Sequence, residues 1–264
     1  MITRFEHQRA TTVEQALAAV ASGAVPYVGG TELLAAMKLG LTAPERLVDL
    51  KQVGELRGVR SDDDSITIGA ATPHAEVAAS LIVRERLPML ANVTSVIGNP
   101  RVRWQGTVGG NLCFAEPRSD LIPALIALRA RLRLRSQEGG RGVDMESFVS
   151  APFTVDRRDD ELLVDVVIPT GDLLFQQYHR LQIMERPTVG VALVGAATGW
   201  RLCVGAAGYI PSWHDAPTPG GFDADAVADA IEPMEDAAGA ADYKRDLVRT
   251  LVSRALSGAR KVDS

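Results

Sequence analysis

The sequence contains little of what a metal centre needs. Its 264 residues include only two cysteines, Cys113 and Cys203, and four histidines, His7, His74, His179 and His214. Two distant cysteines cannot supply the thiolates of an iron–sulfur cluster or a four-ligand zinc site. The histidines show no metal-ligand spacing, so we expect no metal site. If electrons reach this protein through iron–sulfur clusters, those clusters lie on another chain.

Long apolar runs and an excess of positive charge are also missing. The sequence has no apolar run of about 18 residues, and its N-terminus lacks the apolar stretch of a signal peptide. We therefore expect a cytoplasmic protein with no membrane span. The net charge of −5 argues against a nucleic-acid surface. With 46% hydrophobic residues, the chain can bury one large core or two modest ones, and two are favoured.

Two short segments carry adjacent glycines, which let the backbone approach a ligand without a Cβ in the way. The first glycine segment comprises Val28, Gly29, Gly30, Thr31, Glu32 and Leu33. It follows a short apolar strand and opens a helix, where the hydroxyl of Thr31 can cap the helix or bond a phosphate oxygen. The second glycine segment comprises Thr107, Val108, Gly109, Gly110 and Asn111, and we expect it to be an extended stretch with a loop.

The two segments together predict one polyphosphate held from both sides by backbone N–H groups. Neither segment contains a lysine, so the phosphates would have to be bound by main-chain N–H dipoles. Neither matches the phosphate loop that ends in Gly-Lys-Ser/Thr, and neither has the three-glycine Rossmann spacing. These absences argue against a nucleoside triphosphate and against a dinucleotide bound in the Rossmann manner. Taken singly, each Gly-Gly pair is more often a structural turn.

The order of the motifs adds a family resemblance. Val-Gly-Gly-Thr-Glu-Leu, then Thr-Val-Gly-Gly-Asn, then Pro117-Arg118-Ser119-Asp120-Leu121 resembles the FAD-binding medium subunit of molybdenum hydroxylases. That family includes the medium chain of carbon monoxide dehydrogenase and the FAD domain of xanthine dehydrogenase. The resemblance runs from the N-terminus to about residue 258, and it implies FAD as the cofactor.

The resemblance also implies which residues meet the cofactor. It places both glycine segments on the pyrophosphate and ribityl chain of FAD. It adds four further cofactor-binding residues outside those segments: Ile97, Asp120, Leu163 and Arg180. Arg180 stands where relatives carry a cation close to the flavin ring, which would favour a reduced, anionic flavin. The strip 184–188 is similar to a family loop near the flavin edge. No catalytic side chain is expected, because flavin carries the redox chemistry.

The fold class implied is α+β. Residues 1–169 are expected to form a two-subdomain FAD-binding domain of the vanillyl-alcohol-oxidase-like (PCMH) type, with subdomains of about 1–55 and 56–169. Residues 170–264 are expected to form a C-terminal α+β domain with an antiparallel sheet and helices, because strand patterns there are followed by helical ones. Residues 211–221, rich in proline and glycine, are expected to be a loop.

Three functions remain open at this point. The resemblance favours an FAD subunit that passes electrons from a partner's iron–sulfur clusters to an acceptor. Its partners would be a molybdopterin-binding large subunit and a 2Fe-2S small subunit on separate chains. The alternative is a stand-alone FAD-dependent oxidoreductase or monooxygenase that acts directly on a small molecule. A third reading is a degenerate family member that no longer binds FAD and serves as a scaffold.

Overall fold

The N-terminal part of the chain forms a parallel three-stranded sheet with two helices. The computed structural model describes residues 2–183 and 185–260. The first elements are β1 (Glu6–Arg9), α1 (Val13–Ala21), β2 (Val25–Tyr27), α2 (Leu33–Leu39) and β3 (Arg46–Asp49). β3 lies between β1 and β2 and pairs with both in parallel. α1 begins at a side-chain cap, since Thr12 Oγ1 accepts a hydrogen bond from the Gln15 amide at 3.2 Å.

The second part is built on a five-stranded antiparallel sheet. Its elements along the chain are β4 (Val59–Ser61), β5 (Ser65–Gly69), α3 (His74–Ala79), α4 (Leu81–Arg86), α5 (Pro88–Val96), α6 (Pro100–Gln105), α7 (Val108–Phe114), α8 (Leu121–Ala127), β6 (Arg131–Arg135), β7 (Gly140–Asp144), α9 (Met145–Phe148), β8 (Val149–Ala151), β9 (Thr154–Val155) and β10 (Leu162–Pro169). The strand order is β4-β5-β10-β6-β7, and β8 pairs with β9 separately. β10 is central and antiparallel to both of its neighbours.

The third part is a four-stranded antiparallel sheet followed by two helices. Its elements are β11 (Leu173–Gln182), β12 (Pro187–Ala196), β13 (Gly199–Gly205), β14 (Ser212–Ala216), α10 (Ala224–Asp229) and α11 (Ala241–Ala259). The strands follow one another in chain order across the sheet. The expected loop over residues 211–221 is therefore wrong in part, because β14 pairs with β13 there.

The C-terminal sheet is buried on both faces. One face joins the large core of the second part through Ala192, Val194 and Cys203. The other face packs with α10 and α11 through residues such as Leu193 and Leu202. This arrangement explains why β12 is an almost continuous apolar run.

A close approach joins the second and third parts of the chain. α8 is buried along its whole length. A Cβ on Gly205 of β13 would lie 2.6 Å from Pro123 Cγ of α8, so only glycine admits the helix here. Among the described residues, no helix is both long and apolar enough to cross a bilayer.

Candidate cofactor site

A cavity of about 340 Å³ lies between the first sheet, the N-terminal ends of α7 and α8, and the start of β10. Both glycine segments line it. So do the separately predicted residues Ile97, Asp120 and Leu163. Val108 and Arg180 are not among the described residues that line the cavity. Val108 instead packs in the core of the second part. The fold thus brings together residues that are far apart in the sequence.

The first glycine segment presents free backbone donors. Among the described residues, the amides of Gly29, Gly30 and Thr31 have no acceptor within the protein. Gly30 has a φ of +65°, a conformation that favours glycine. α2 begins at Leu33 and has no side-chain cap, so Thr31 does not cap the helix as expected. Its hydroxyl is left for a ligand.

The second glycine segment is helical rather than extended. Thr107 is the N-cap of α7, and its Oγ1 accepts a hydrogen bond from the Gly110 amide at 3.1 Å. The Val108 amide donates to the Thr72 carbonyl at 3.0 Å, and the Gly109 amide donates to the Ala70 carbonyl at 2.8 Å. Because these amides are already used, the expectation that both segments offer free amides is wrong for the second. Its glycines instead let other atoms come close to the backbone of this segment, because no Cβ stands in the way.

The two segments meet at residues 105 and 106. A Cβ on Gly29 would overlap the Gln105 carbonyl oxygen and would lie 2.6 Å from its carbon. A Cβ on Gly106 would lie 3.3 Å from Thr31 Oγ1. The absence of side chains on these glycines therefore sets the distance between the segments.

Asp120 lies at the start of α8, and its carboxylate contacts two side chains of the C-terminal sheet. Its Oδ1 accepts a hydrogen bond from the Tyr178 hydroxyl at 2.8 Å, and its Oδ2 is 2.9 Å from Arg180 Nη1. Tyr178 reaches Asp120 past Gly190, where a Cβ would overlap the Tyr178 hydroxyl oxygen. Burial raises the pKa of Asp120 to about 6, against the opposing effects of Arg180 and Tyr178. Arg180 is thus paired with Asp120. Its proximity to the flavin ring stays a prediction.

Comparison with known proteins identifies the family. Residues 3–171 match the family described as the FAD binding domain in molybdopterin dehydrogenase. The carbon monoxide dehydrogenase medium chain of Hydrogenophaga pseudoflava is 32% identical over 285 residues, which cover 97% of this chain and 97% of the relative. The chain belongs to this family.

Solved structures agree with the sequence match. This FAD-binding chain superposes on carbon monoxide dehydrogenase from Hydrogenophaga pseudoflava with a TM-score of 0.90 and 29% identity, covering 99% of each chain. The xanthine dehydrogenase FAD-binding subunit of Escherichia coli O157:H7 is 28% identical over 74% of this chain and 68% of the relative. The resemblance and the fold class predicted from the sequence are confirmed: the protein is an FAD-binding subunit of the molybdenum hydroxylase class, an oxidoreductase.

The cavity fits FAD on features of the chain itself. The first segment lines the cavity and has free amides, and Gly110, which also lines the cavity, is exposed. Apolar lining from Ile97 and Leu163 suits a flavin ring system. Asn111 adds a polar group whose Oδ1 accepts a hydrogen bond from Ser119 Oγ at 2.6 Å, which fixes the side-chain amide.

The cavity also contains ion pairs that the sequence did not predict. Arg186 precedes β12, and its Nη2 lies 2.7 Å from Glu32 Oε1 while its Nη1 lies 3.4 Å from Glu116 Oε2. Arg186 therefore links Glu32 of the first glycine segment to Glu116, which follows α7. It falls within the strip 184–188 that the resemblance marked, of which Met184 lies outside the described residues. Arg118 is paired with Glu116 at 3.3 Å. Side-chain charges in the cavity are thus largely compensated.

Cys113 also lines the cavity, and burial raises the pKa of its thiol to about 11. The thiol is therefore protonated at neutral pH and is not a nucleophile there.

Replacing Tyr178 with phenylalanine tests the network around Asp120. In the folded protein, the pKa of Asp120 lies above its ordinary value of 3.8. Its protonated form therefore stabilises the fold, and that contribution is lost as pH rises through about 6. We expect Tyr178→Phe to cost about 1.5–3 kcal/mol at pH 8, where a charged acceptor loses its donor, and about 0.5–1.5 kcal/mol at pH 5. Urea unfolding at both pH values measures this.

The control for this variant is Tyr243→Phe, because Tyr243 is 43% exposed at the start of α11. The control should leave the unfolding free energy unchanged at both pH values. An equal loss for Tyr178→Phe at pH 5 and pH 8 would contradict an ionised Asp120 as the acceptor.

Proposed function

We propose that this chain is the FAD-binding electron-transfer subunit of a heteromeric molybdenum hydroxylase. In this function it takes electrons from iron–sulfur clusters on a partner chain and passes them through FAD to an acceptor. The observation that carries the proposal is the convergence of both glycine segments and Asp120 on one cavity. The relatives named as medium chains and FAD-binding subunits support it.

We propose that the chain binds and orients the cofactor with groups from both sides of the cavity. FAD, when bound, supplies the redox chemistry, so no side chain of this protein needs to act as acid, base or nucleophile. The amides of the first segment hold the pyrophosphate, and Gly110 lets the backbone of α7 approach it. Asp120, fixed by Tyr178 and Arg180, bonds a polar part of the cofactor.

The proposed partners are a molybdopterin-binding large subunit and a 2Fe-2S small subunit on separate chains. The sequence supports this division, because Cys113 and Cys203 are too few to ligate a cluster. Burial also raises the pKa of both thiols. We further propose that the FAD-binding part ends near residue 169, in the connection between β10 and β11.

Purification of the chain alone and with its partners tests the proposal. The chain alone should retain FAD, seen by visible absorption of oxidised flavin, and should not reduce that flavin with aldehydes, purines or N-heteroaromatic substrates. Coexpression with a molybdopterin-binding large chain and a 2Fe-2S small chain from the same organism should give a complex that contains molybdenum, iron and FAD. In that complex, substrate should bleach the flavin.

Two results would contradict the proposal. A homo-oligomer that oxidises or oxygenates a small molecule without molybdenum or iron would indicate a stand-alone flavoenzyme. A colourless protein that takes up no added FAD would indicate a scaffold.

A further inference from the structure

His74 is a buried polar residue in the cavity wall that the sequence did not single out as a ligand. It is the first residue of α3, and its backbone amide donates to the Gly106 carbonyl at 3.1 Å. The residue lines the cavity although it is only 2% exposed. The backbone of His74 is therefore part of the framework that holds the second glycine segment.

The imidazole of His74 has an unused nitrogen. Among the described residues, its Nδ1 is fully buried and has no hydrogen-bond partner. No acidic side chain in the described part of the chain forms an ion pair with it. Burial lowers the pKa of His74 to about 4, so at neutral pH the ring is neutral and carries one N–H donor. A buried polar atom without a partner destabilises the folded protein, so a partner from outside the chain, such as a ligand or a water, would relieve that cost.

The ring lies where the two glycine segments meet. A Cβ on Gly106 would be 3.4 Å from His74 Cδ2 and 3.3 Å from Thr31 Oγ1. The imidazole and the Thr31 hydroxyl therefore both lie beside Gly106. The backbone amides of residues 108–110 are used within the protein, so the donors left on this wall are side-chain groups: the Asn111 amide nitrogen and the His74 ring.

We propose that His74 is a cofactor-binding residue whose ring N–H donates a hydrogen bond to a pyrophosphate oxygen of FAD. The inference rests on the proposed seating of the pyrophosphate between the glycine segments. His74 then supplies on the α7 side the donor that the amides of α7 cannot supply. A hydrogen bond to a charged oxygen in a buried site is strong enough to affect retention of the cofactor.

Substitution of His74 by leucine, asparagine and glutamine tests the proposal. Leucine removes both ring nitrogens at similar volume, whereas the amide nitrogen of asparagine or glutamine keeps a donor near Nδ1 or Nε2. The affinity of each apoprotein is measured for FAD and riboflavin by flavin fluorescence, and for ADP by displacement of FAD. We expect His74→Leu to weaken FAD and ADP binding about tenfold to a hundredfold, with riboflavin unaffected because it lacks phosphate. At least one of the two amide variants should recover part of the loss.

The stability of the apoproteins shows whether His74 binds the ligand or supports the fold. His74→Leu should unfold at the same urea concentration as the parent or a higher one, because it removes an unpaired buried nitrogen. Unchanged FAD affinity, or equal weakening of FAD and riboflavin, would overturn the role of His74. A parent protein that binds neither FAD nor ADP would instead overturn the proposed seating of the pyrophosphate.

Discussion

Gly110→Val is expected to abolish FAD retention while the protein stays folded. Gly110 is exposed in the cavity wall, and its Cβ position lies 3.0 Å from Thr107 Oγ1 but is otherwise open. A branched side chain there fills the space that the proposed site gives to phosphate, and it crowds the hydroxyl that caps α7. With FAD at 100 times the parent's dissociation constant, the parent gains about 2.7 kcal/mol of stability from the ligand, and the variant should gain almost none.

The matched control for this variant is Gly54→Val. Gly54 has no atom within 4 Å of its Cβ position and lies outside the cavity, so valine there should leave FAD retention at the parent's level. Gly110→Ala should fall between the two, because one methyl group fills less of the space. Thermal unfolding with and without FAD measures all three variants. Equal ligand stabilisation in Gly110→Val and the parent would place the phosphates elsewhere.

Much of the fold follows from local patterns in the sequence. α1 begins at a side-chain cap on Thr12, and β10 and β12 are largely apolar, and both features can be read from the local sequence. β1 was missed because its four residues are polar and exposed. β14 was missed because prolines flank it, although its ladder with β13 is regular. β1 is fixed by β3, a strand far along the chain that a local pattern does not contain, whereas β14 pairs with β13, its neighbour in the sequence.

The second glycine segment shows how tertiary contacts override propensity. Adjacent glycines are poor helix formers, so the sequence favoured a loop. The carbonyl groups of Ala70 and Thr72 accept hydrogen bonds from the first amides of α7, and Thr107 caps the helix. The sequence thus identified a segment that lines the cavity, but it predicted neither the helical conformation of that segment nor the internal use of its amides. His74 reaches the cavity only through the fold, whereas Arg186 lies in the strip 184–188 that the resemblance had placed near the flavin edge.

Gly29→Ala should act on the fold as well as on the cofactor, unlike Gly110→Val. Its Cβ would overlap the Gln105 carbonyl group, which is backbone and cannot rotate away as a side chain can. This region is also held in place, because the Gly106 amide donates to the Val102 carbonyl at 2.6 Å and the Gly106 carbonyl accepts from His74. We expect a loss of about 1–3 kcal/mol in the unfolding free energy of the apoprotein, as for other overpacked sites.

Urea unfolding of the apoproteins compares Gly29→Ala with the control Gly54→Ala. Gly54→Ala adds the same methyl group with no atom within 4 Å and should leave the urea midpoint unchanged. The methyl group on residue 29 should push the two glycine segments apart. The folded molecules of the Gly29→Ala variant should therefore also bind FAD more weakly than the parent does. Unchanged stability together with unchanged FAD affinity would mean that the segments are not in contact at Gly29. Lost stability with unchanged affinity would mean that the cofactor is held by one segment alone.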